Sequence, residues 1–132
     1  KELVMEKKRD LDDKNKTDKP SVPESVSQIC RYIIHNISDP ELSVNNIAEK
    51  FYFHPVYLNR IFRKEKNVSV GQFIMNQRMD IAVSLLVNKT LTVMDVAEKV
   101  GYKNYTNFHS IFKKKYGCSP SQYREIYLKD SQ

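Results

Sequence analysis

Glycine is scarce in this sequence. Its 132 residues hold three, and no glycine-rich loop is present to cradle the phosphates of a nucleotide. Cysteine is scarcer still, with only Cys30 and Cys118. Neither stands in a CxxC or Cys/His ligand spacing, so no metal site is expected. Two cysteines make no disulfide framework, and a reducing cytoplasm is the expected compartment. No apolar run approaches the roughly 20 residues that span a bilayer, and no signal peptide or membrane partner is expected. The histidines, His35, His54 and His109, stand far apart. No constellation for catalysis and no cofactor motif can be assembled, so the expectation is a non-enzyme without a cofactor. No stretch alternates apolar and polar residues long enough to make a convincing strand.

What the chain does have is a unit written twice. Residues 43–74 read SVNNIAEKFYFHPVYLNRIFRKEKNVSVGQFI, and residues 92–124 read TVMDVAEKVGYKNYTNFHSIFKKKYGCSPSQYR. The offset is 49 at the start, pairing Val44 with Val93, Ala48 with Ala97 and Glu49 with Glu98. It becomes 50 further on, pairing Ile61 with Ile111, Phe62 with Phe112 and Ser69 with Ser119. The second copy therefore carries one extra residue between its first two helices. Each copy reads as a short helix, a tight turn, a longer basic helix and a capped exit, the outline of a helix-turn-helix.

An all-α fold of seven helices is predicted, two helix-turn-helix subdomains joined by a long helix. Ser21-Val-Pro-Glu24 is a capping box that opens the first helix, which runs to about Asn36. Ser43 caps a helix over 44–51, and His54-Pro55 starts one over 55–66. Ser69-Val-Gly-Gln72 opens the linker helix over 70–87, and Thr92-Val-Met-Asp95 a helix to about Val100. Asn104 caps a helix over 105–115, which Gly117 ends in a left-handed residue. Ser119-Pro-Ser-Gln122 opens the last helix, to about Leu128. In this reading residues 1–20 are a charged linker and 21–132 the helical domain. The first helix-turn-helix covers 43–67, the linker helix 70–87 and the second helix-turn-helix 92–116.

The charge is uneven. The net charge is +6, of which residues 21–132 carry +5, with 15 basic and 10 acidic side chains. A basic excess suggests an anionic partner, nucleic acid before membrane surface. The third predicted helix splits into two faces. Leu58, Ile61 and Phe62 recur at helical spacing and should pack inward. Val56, Asn59, Arg60 and Arg63 lie on the other side. Arginine pairs two-pronged with guanine, asparagine with adenine, and a small apolar group touches a thymine methyl. A merely solvated face would carry more Glu and Lys. In the sixth helix Phe108, Ile111 and Phe112 form the inward set. Thr106, His109, Ser110 and Lys113 point outward, with Tyr105 at the helix start. Lys113, Lys114 and Lys115 are point charges that suit phosphate, although a basic helix end also favours the helix dipole. The starts of helices two, four, five and seven offer free N–H groups to phosphates. Ala48 and Ala97 let the recognition helices cross closely. Arg78, inside the linker helix, is read as structural, with Glu49, Glu98 or a phosphate as its partner.

The stretch GYKNYTNFHSIFKKKYGCSPSQYR resembles the C-terminal motif of the AraC/XylS family of bacterial transcription regulators. Its marks are Gly101-Tyr102, Phe108, Phe112-Lys113-Lys114, Gly117, Ser119-Pro120 and Tyr123-Arg124. LSVNNIAEKFYFHPVYLNRIFRKE and RMDIAVSLL are similar to the family's first helix-turn-helix and linker helix. The resemblance spans about residues 23–127. It implies a sequence-specific domain for double-stranded DNA, with two recognition helices in successive turns of the major groove. By matching position, base contacts fall to Val56, Asn59 and Arg60, then to Tyr105, Thr106, Asn107, His109 and Ser110. Arg63, Lys64 and Lys113 complete the expected DNA-binding set. Many members carry Arg or Lys where this chain has Ser110, which weakens the case for guanine reading there. The resemblance also implies a cytoplasmic activator with RNA polymerase as a further partner. A sensor or receiver domain is expected N-terminal to Lys1, so the chain is read as a piece of a longer protein. The alternative is a helical protein-interaction module that keeps the fold without reading DNA.

Neutralising about 6 phosphates gives an expected slope of log K against log salt of about −5 for a cognate duplex. Titrations across salt concentrations check it, and a slope near zero is incompatible with DNA binding.

Overall fold

The computed structural model describes residues 20–130, the side chain of Asp130 excepted. The expected linker at residues 1–20 lies outside the described residues but for Pro20. Seven helices are present among them: α1 (Val22–His35), α2 (Val44–Lys50), α3 (Pro55–Lys66), α4 (Val70–Leu86), α5 (Val93–Lys99), α6 (Tyr105–Tyr116) and α7 (Pro120–Asp130). None is long and apolar enough to cross a membrane. Helix ends differ from the sequence expectations by no more than two residues; α7 gains the most, running on past Leu128 to Asp130.

Each helix starts where a side chain can accept from its first turn. Ser21 Oγ accepts from Glu24 N–H while Glu24 accepts from Ser21 N–H, a reciprocal box with Pro23 inside the first turn. Thr92 and Asp95 repeat that box at α5, and Ser119 and Gln122 at α7. Ser43 and Asn104 cap α2 and α6 with one bond each. His54 caps α3 through Nδ1, which accepts from Val56 N–H at 3.2 Å. Its extended backbone is the one a residue before proline prefers.

The chain divides into two compact units. The first holds the described residues up to Asn36 together with Glu41–Ile74, so α1, α2, α3 and the first turn of α4. Ile29, Ile33, Ile47, Leu58, Phe62 and Val70 are fully buried in it. Phe62 meets Phe73 edge-on at 5.2 Å between ring centroids. The second unit holds Ile37–Pro40 and everything from Met75 on. Its core is Met79, Ala82, Leu86, Val96, Ala97, Val100, Phe108 and Phe112. Phe112 is enclosed by Phe108, Tyr116 and Tyr123 at centroid distances of 4.6–5.8 Å. Ile111, expected to point inward, packs against this core and is half-buried.

Arg78 takes a partner other than the carboxylates considered from sequence. It is 8% exposed. Its Nη2 donates to the Asp39 carbonyl at 2.8 Å, and its guanidinium lies over the Tyr102 ring at 5.4 Å. Burial pushes the Arg78 guanidinium down from its ordinary pKa and the Tyr102 hydroxyl up.

The two helix-turn-helix turns follow one plan with different residues. Phe53 N–H donates to the Ala48 carbonyl, and Tyr102 N–H to the Ala97 carbonyl. The residue before each donor is left-handed: Tyr52 at φ 62° and Gly101 at φ 98°. The offset of 49 thus persists through Phe53 and Tyr102, which places the extra residue of the second copy at Lys103. Gly101 has a second reason to be glycine, because a Cβ there would collide with the Ile37 carbonyl oxygen and the Arg78 guanidinium. Tyr52 faces open solvent at 91% exposure. Its strain is backbone strain alone, about 1–2 kcal/mol for an L-residue in this region.

Two outcomes are expected in thermal melts without DNA. Phe112→Ala should cost about 3–5 kcal/mol and unfold the second unit; a parent-like melt would show that Phe112 is not core. Tyr52→Gly should raise stability by roughly 0.5–1 kcal/mol, relief of strain less the entropy cost of glycine. Gly101→Ala should lower it by more than that, since both backbone angle and space oppose it.

Candidate nucleic-acid interface

Within the first unit, α3 turns Leu58, Ile61 and Phe62 into the core. The 3.6-residue period then sets what remains outside. Val56 is 68% exposed, and Arg60, Arg63 and Lys64 are exposed beside it. This places one apolar group, two guanidinium groups and an ammonium on the solvent side of a helix whose opposite side is closed. Arg60 is held by a neighbour that sequence reasoning missed. Its guanidinium lies over the Tyr57 ring at 5.2 Å, and Tyr57 is itself braced against Phe53 at 5.6 Å. A cation over an aromatic face at an exposed site is worth about 0.5–1 kcal/mol. It also restricts a long side chain before any partner arrives. The i, i+3 spacing of Tyr57 and Arg60 was the available signal.

Asn59 departs from the expected open face. It is half-buried, and its Oδ1 accepts from Val70 N–H at 3.0 Å. Val70 is the first residue of α4, where N–H groups have no partner in their own helix. Asn59 is therefore a cap as well as a face residue. A free two-pronged asparagine was the sequence expectation; the bond to Val70 orients the carboxamide and takes one lone pair of its oxygen.

Within the second unit, α6 buries Phe108 and Phe112. Thr106, Asn107, Ser110 and Lys113 are exposed, and His109 is half-buried. Tyr105 is also half-buried, packed on Phe108 and His109 at 6.1 and 5.9 Å. It belongs as much to the core as to the outer face. The three lysines at the end of α6 are not equivalent. Lys115 donates to Asn76 Oδ1 at 3.3 Å, which leaves Lys113 and Lys114 as the outward point charges. Arg124, on α7, donates to the Leu86 carbonyl at 2.8 Å and holds the end of α4.

The helix N-termini are partly spoken for. Ser69 Oγ accepts from Gln72 N–H and Asn59 from Val70 N–H, so side chains take two donors of the first turn of α4. Similar caps take one each at α2, α5 and α7. Among the described residues no group of His, Cys, Asp and Glu gathers as a metal cage would need. The exposed groups are hydrogen-bond donors and acceptors, cations and one apolar contact, the chemistry that meets base edges and phosphates.

Comparison with known proteins gives the same picture. A family model described as a helix-turn-helix domain matches residues 47–126. The chain is 37% identical over 101 residues to the HTH-type transcriptional regulator YtdP of Bacillus subtilis. It is 36% identical over 100 residues to the Msm operon regulatory protein of Streptococcus mutans. Each match takes in 76% of this chain, but only 13% and 36% of those proteins. Among solved structures, the C-terminal domain of AraT, a response regulator from Geobacillus stearothermophilus, superposes with a TM-score of 0.74 at 35% identity. That match covers 76% of this chain and 84% of the AraT domain.

Proposed function

The chain belongs to the AraC/XylS family of helix-turn-helix domains, and from that premise we propose that α3 and α6 read two half-sites of one DNA duplex. The observation that carries the reading is the solvent face of α3. Val56, Arg60, Arg63 and Lys64 stand together on it, while Leu58 and Phe62 on the same helix are fully buried. The half-sites would lie about one DNA turn apart, roughly 34 Å.

The two helices are assigned different work. Arg60 can place two donors on a guanine edge, and its stacking on Tyr57 favours such a posture. Val56 supplies an apolar contact for a thymine methyl, and Arg63 and Lys64 reach phosphate. In α6, Thr106, His109 and Ser110 make mostly single hydrogen bonds, Asn107 adds an exposed carboxamide, and Lys113 serves the backbone. Specificity is therefore weighted towards α3, and α6 contributes more of the sequence-blind affinity.

The curated relatives are much longer than this chain, and the AraT domain is the C-terminal part of a response regulator. On that basis we propose that the domain works beside a sensor or receiver domain. The outcome proposed for occupancy is activation of a neighbouring promoter, with RNA polymerase as the further partner.

Randomised-site selection followed by affinity measurement tests the assignment of readers. Arg60→Ala should cost about 1–3 kcal/mol and relax one guanine position. Ser110→Ala should cost well under 1 kcal/mol, because water can replace a lone hydroxyl contact. A half-site under α6 more restrictive than the one under α3, or a larger loss from Ser110→Ala, would reverse the assignment.

A further inference from the structure

We infer that His109 is the residue of α6 that fixes DNA sequence, and that Tyr105 serves it as a positioning residue instead of reading a base itself. This rests on the proposed reading of DNA by α3 and α6.

Each recognition helix holds one polar side chain against a tyrosine ring. In α3 the guanidinium of Arg60 lies over Tyr57 at 5.2 Å, and Tyr57 leans on Phe53 at 5.6 Å between centroids. In α6 the imidazole of His109 meets Tyr105 at 5.9 Å, and Tyr105 leans on Phe108 at 6.1 Å. Phe108 is fully buried, so this second chain of rings starts in the core. The spacings are i, i+3 and i, i+4, the two that set side chains beside one another on a helix.

The repeat shows that neither pair is a copy of the other. By the offset of 50, Tyr57 and Arg60 correspond to Asn107 and Ser110, and Tyr105 and His109 to Pro55 and Asn59. The ring and the cation of α3 are both replaced in α6. A different ring holds a different polar group there, one residue nearer the helix start. The place of His109 is held in the first copy too, by the bond from Val70 N–H to Asn59. Unrelated side chains thus arrive at the same result, a polar group fixed on the helix surface.

The other candidates of α6 lack that support. Thr106, Asn107 and Ser110 are exposed, and their side chains make no hydrogen bond or ring contact among the described residues. His109 is half-buried. The difference bears on specificity. A side chain free in solvent loses rotamer freedom on binding, and it can re-aim at whichever base edge it meets. A side chain already held loses less and cannot follow a substituted base, so a wrong base is rejected more strongly.

Randomised-site selection and affinity measurement with the full chain, beside melts without DNA, test this. His109→Ala should melt like the parent, relax one position of the α6 half-site and lose about tenfold on the parent's site. Thr106→Ala, Asn107→Ala and Ser110→Ala should each lose less than about threefold, the scale of a contact that water can replace. Tyr105→Leu keeps apolar volume against Phe108 but removes the ring. It should relax the position that His109→Ala relaxes and no other. The double variant should lose no more than His109→Ala alone, because both changes act through one contact. Tyr105→Phe keeps the ring and should match the parent throughout; it decides the role of the hydroxyl even where Tyr105→Leu does not fold. A tenfold loss in Tyr105→Phe would make that hydroxyl a DNA contact. Additive losses in the double variant would make the two residues separate readers. A larger loss from Asn107→Ala than from His109→Ala would put the reading on a side chain that nothing holds. Any of these overturns the inference. If the parent enriches no site, the DNA reading itself fails and this inference with it. If the parent enriches a site whose α6 half is unaltered by His109→Ala, only this inference fails.

Discussion

Phe62 and Phe112 occupy the same register in the two units, and neither has exposed surface. Each ring fixes the rotation of the helix that carries it. A helix pinned by Leu58 and Phe62 cannot turn without drawing about 1.5–3 kcal/mol of apolar side chain per residue into water. Its outer residues are therefore held on one bearing, and Val56, Arg60 and Arg63 come out together. The same holds for α6, where Phe108 and Phe112 are buried and Thr106, Ser110 and Lys113 are not. A surface that must meet base edges within hydrogen-bond tolerance needs this kind of support from beneath, and short helices have no other source of it.

The support depends on a turn tight enough to bring each reader back over the helix before it. Both turns use one left-handed residue, followed by a donor to the alanine in the middle of the preceding helix. Alanine's small side chain, buried at Ala48 and Ala97, lets the backbones approach. Gly101 is required by the Ile37 carbonyl and Arg78 pressed against it. Tyr52 occupies the equivalent place in the open and can be tolerated as tyrosine. One conformation, repeated, thus falls to different residues according to what surrounds it.

Much of this was legible in the sequence because the signals are local. Ser21, Ser43, Thr92, Asn104 and Ser119 lie next to the turns that they cap, and a helix start needs only near neighbours. The inward faces followed from the period of the helix, and the repeat located the turns. What escaped depends on groups that come together only in space. Arg78 was a structural charge awaiting a carboxylate or a phosphate, but it meets a carbonyl of residue 39 and the ring of Tyr102. Tyr105 reads as a helix-start reader, and the ring of Phe108 draws it half into the core. The bond between Asn59 and Val70 spans eleven residues, too far for a capping rule that looks three residues ahead.

That last bond shows how a repeat can diverge in its side-chain contacts while keeping its fold. A helix may begin with a donor that needs an acceptor, as α4 does at Val70, or with a proline that needs none, as α7 does at Pro120. Both are good helix starts. The first enlists a residue of the preceding recognition helix and fixes how it is presented. The second makes no demand, and His109 has no hydrogen-bond partner to hold it among the described residues. A change at a buried helix start therefore alters how Asn59 is held without touching the exposed surface. The two copies need not have diverged first at their outer faces; the divergence can begin in the main chain beneath them.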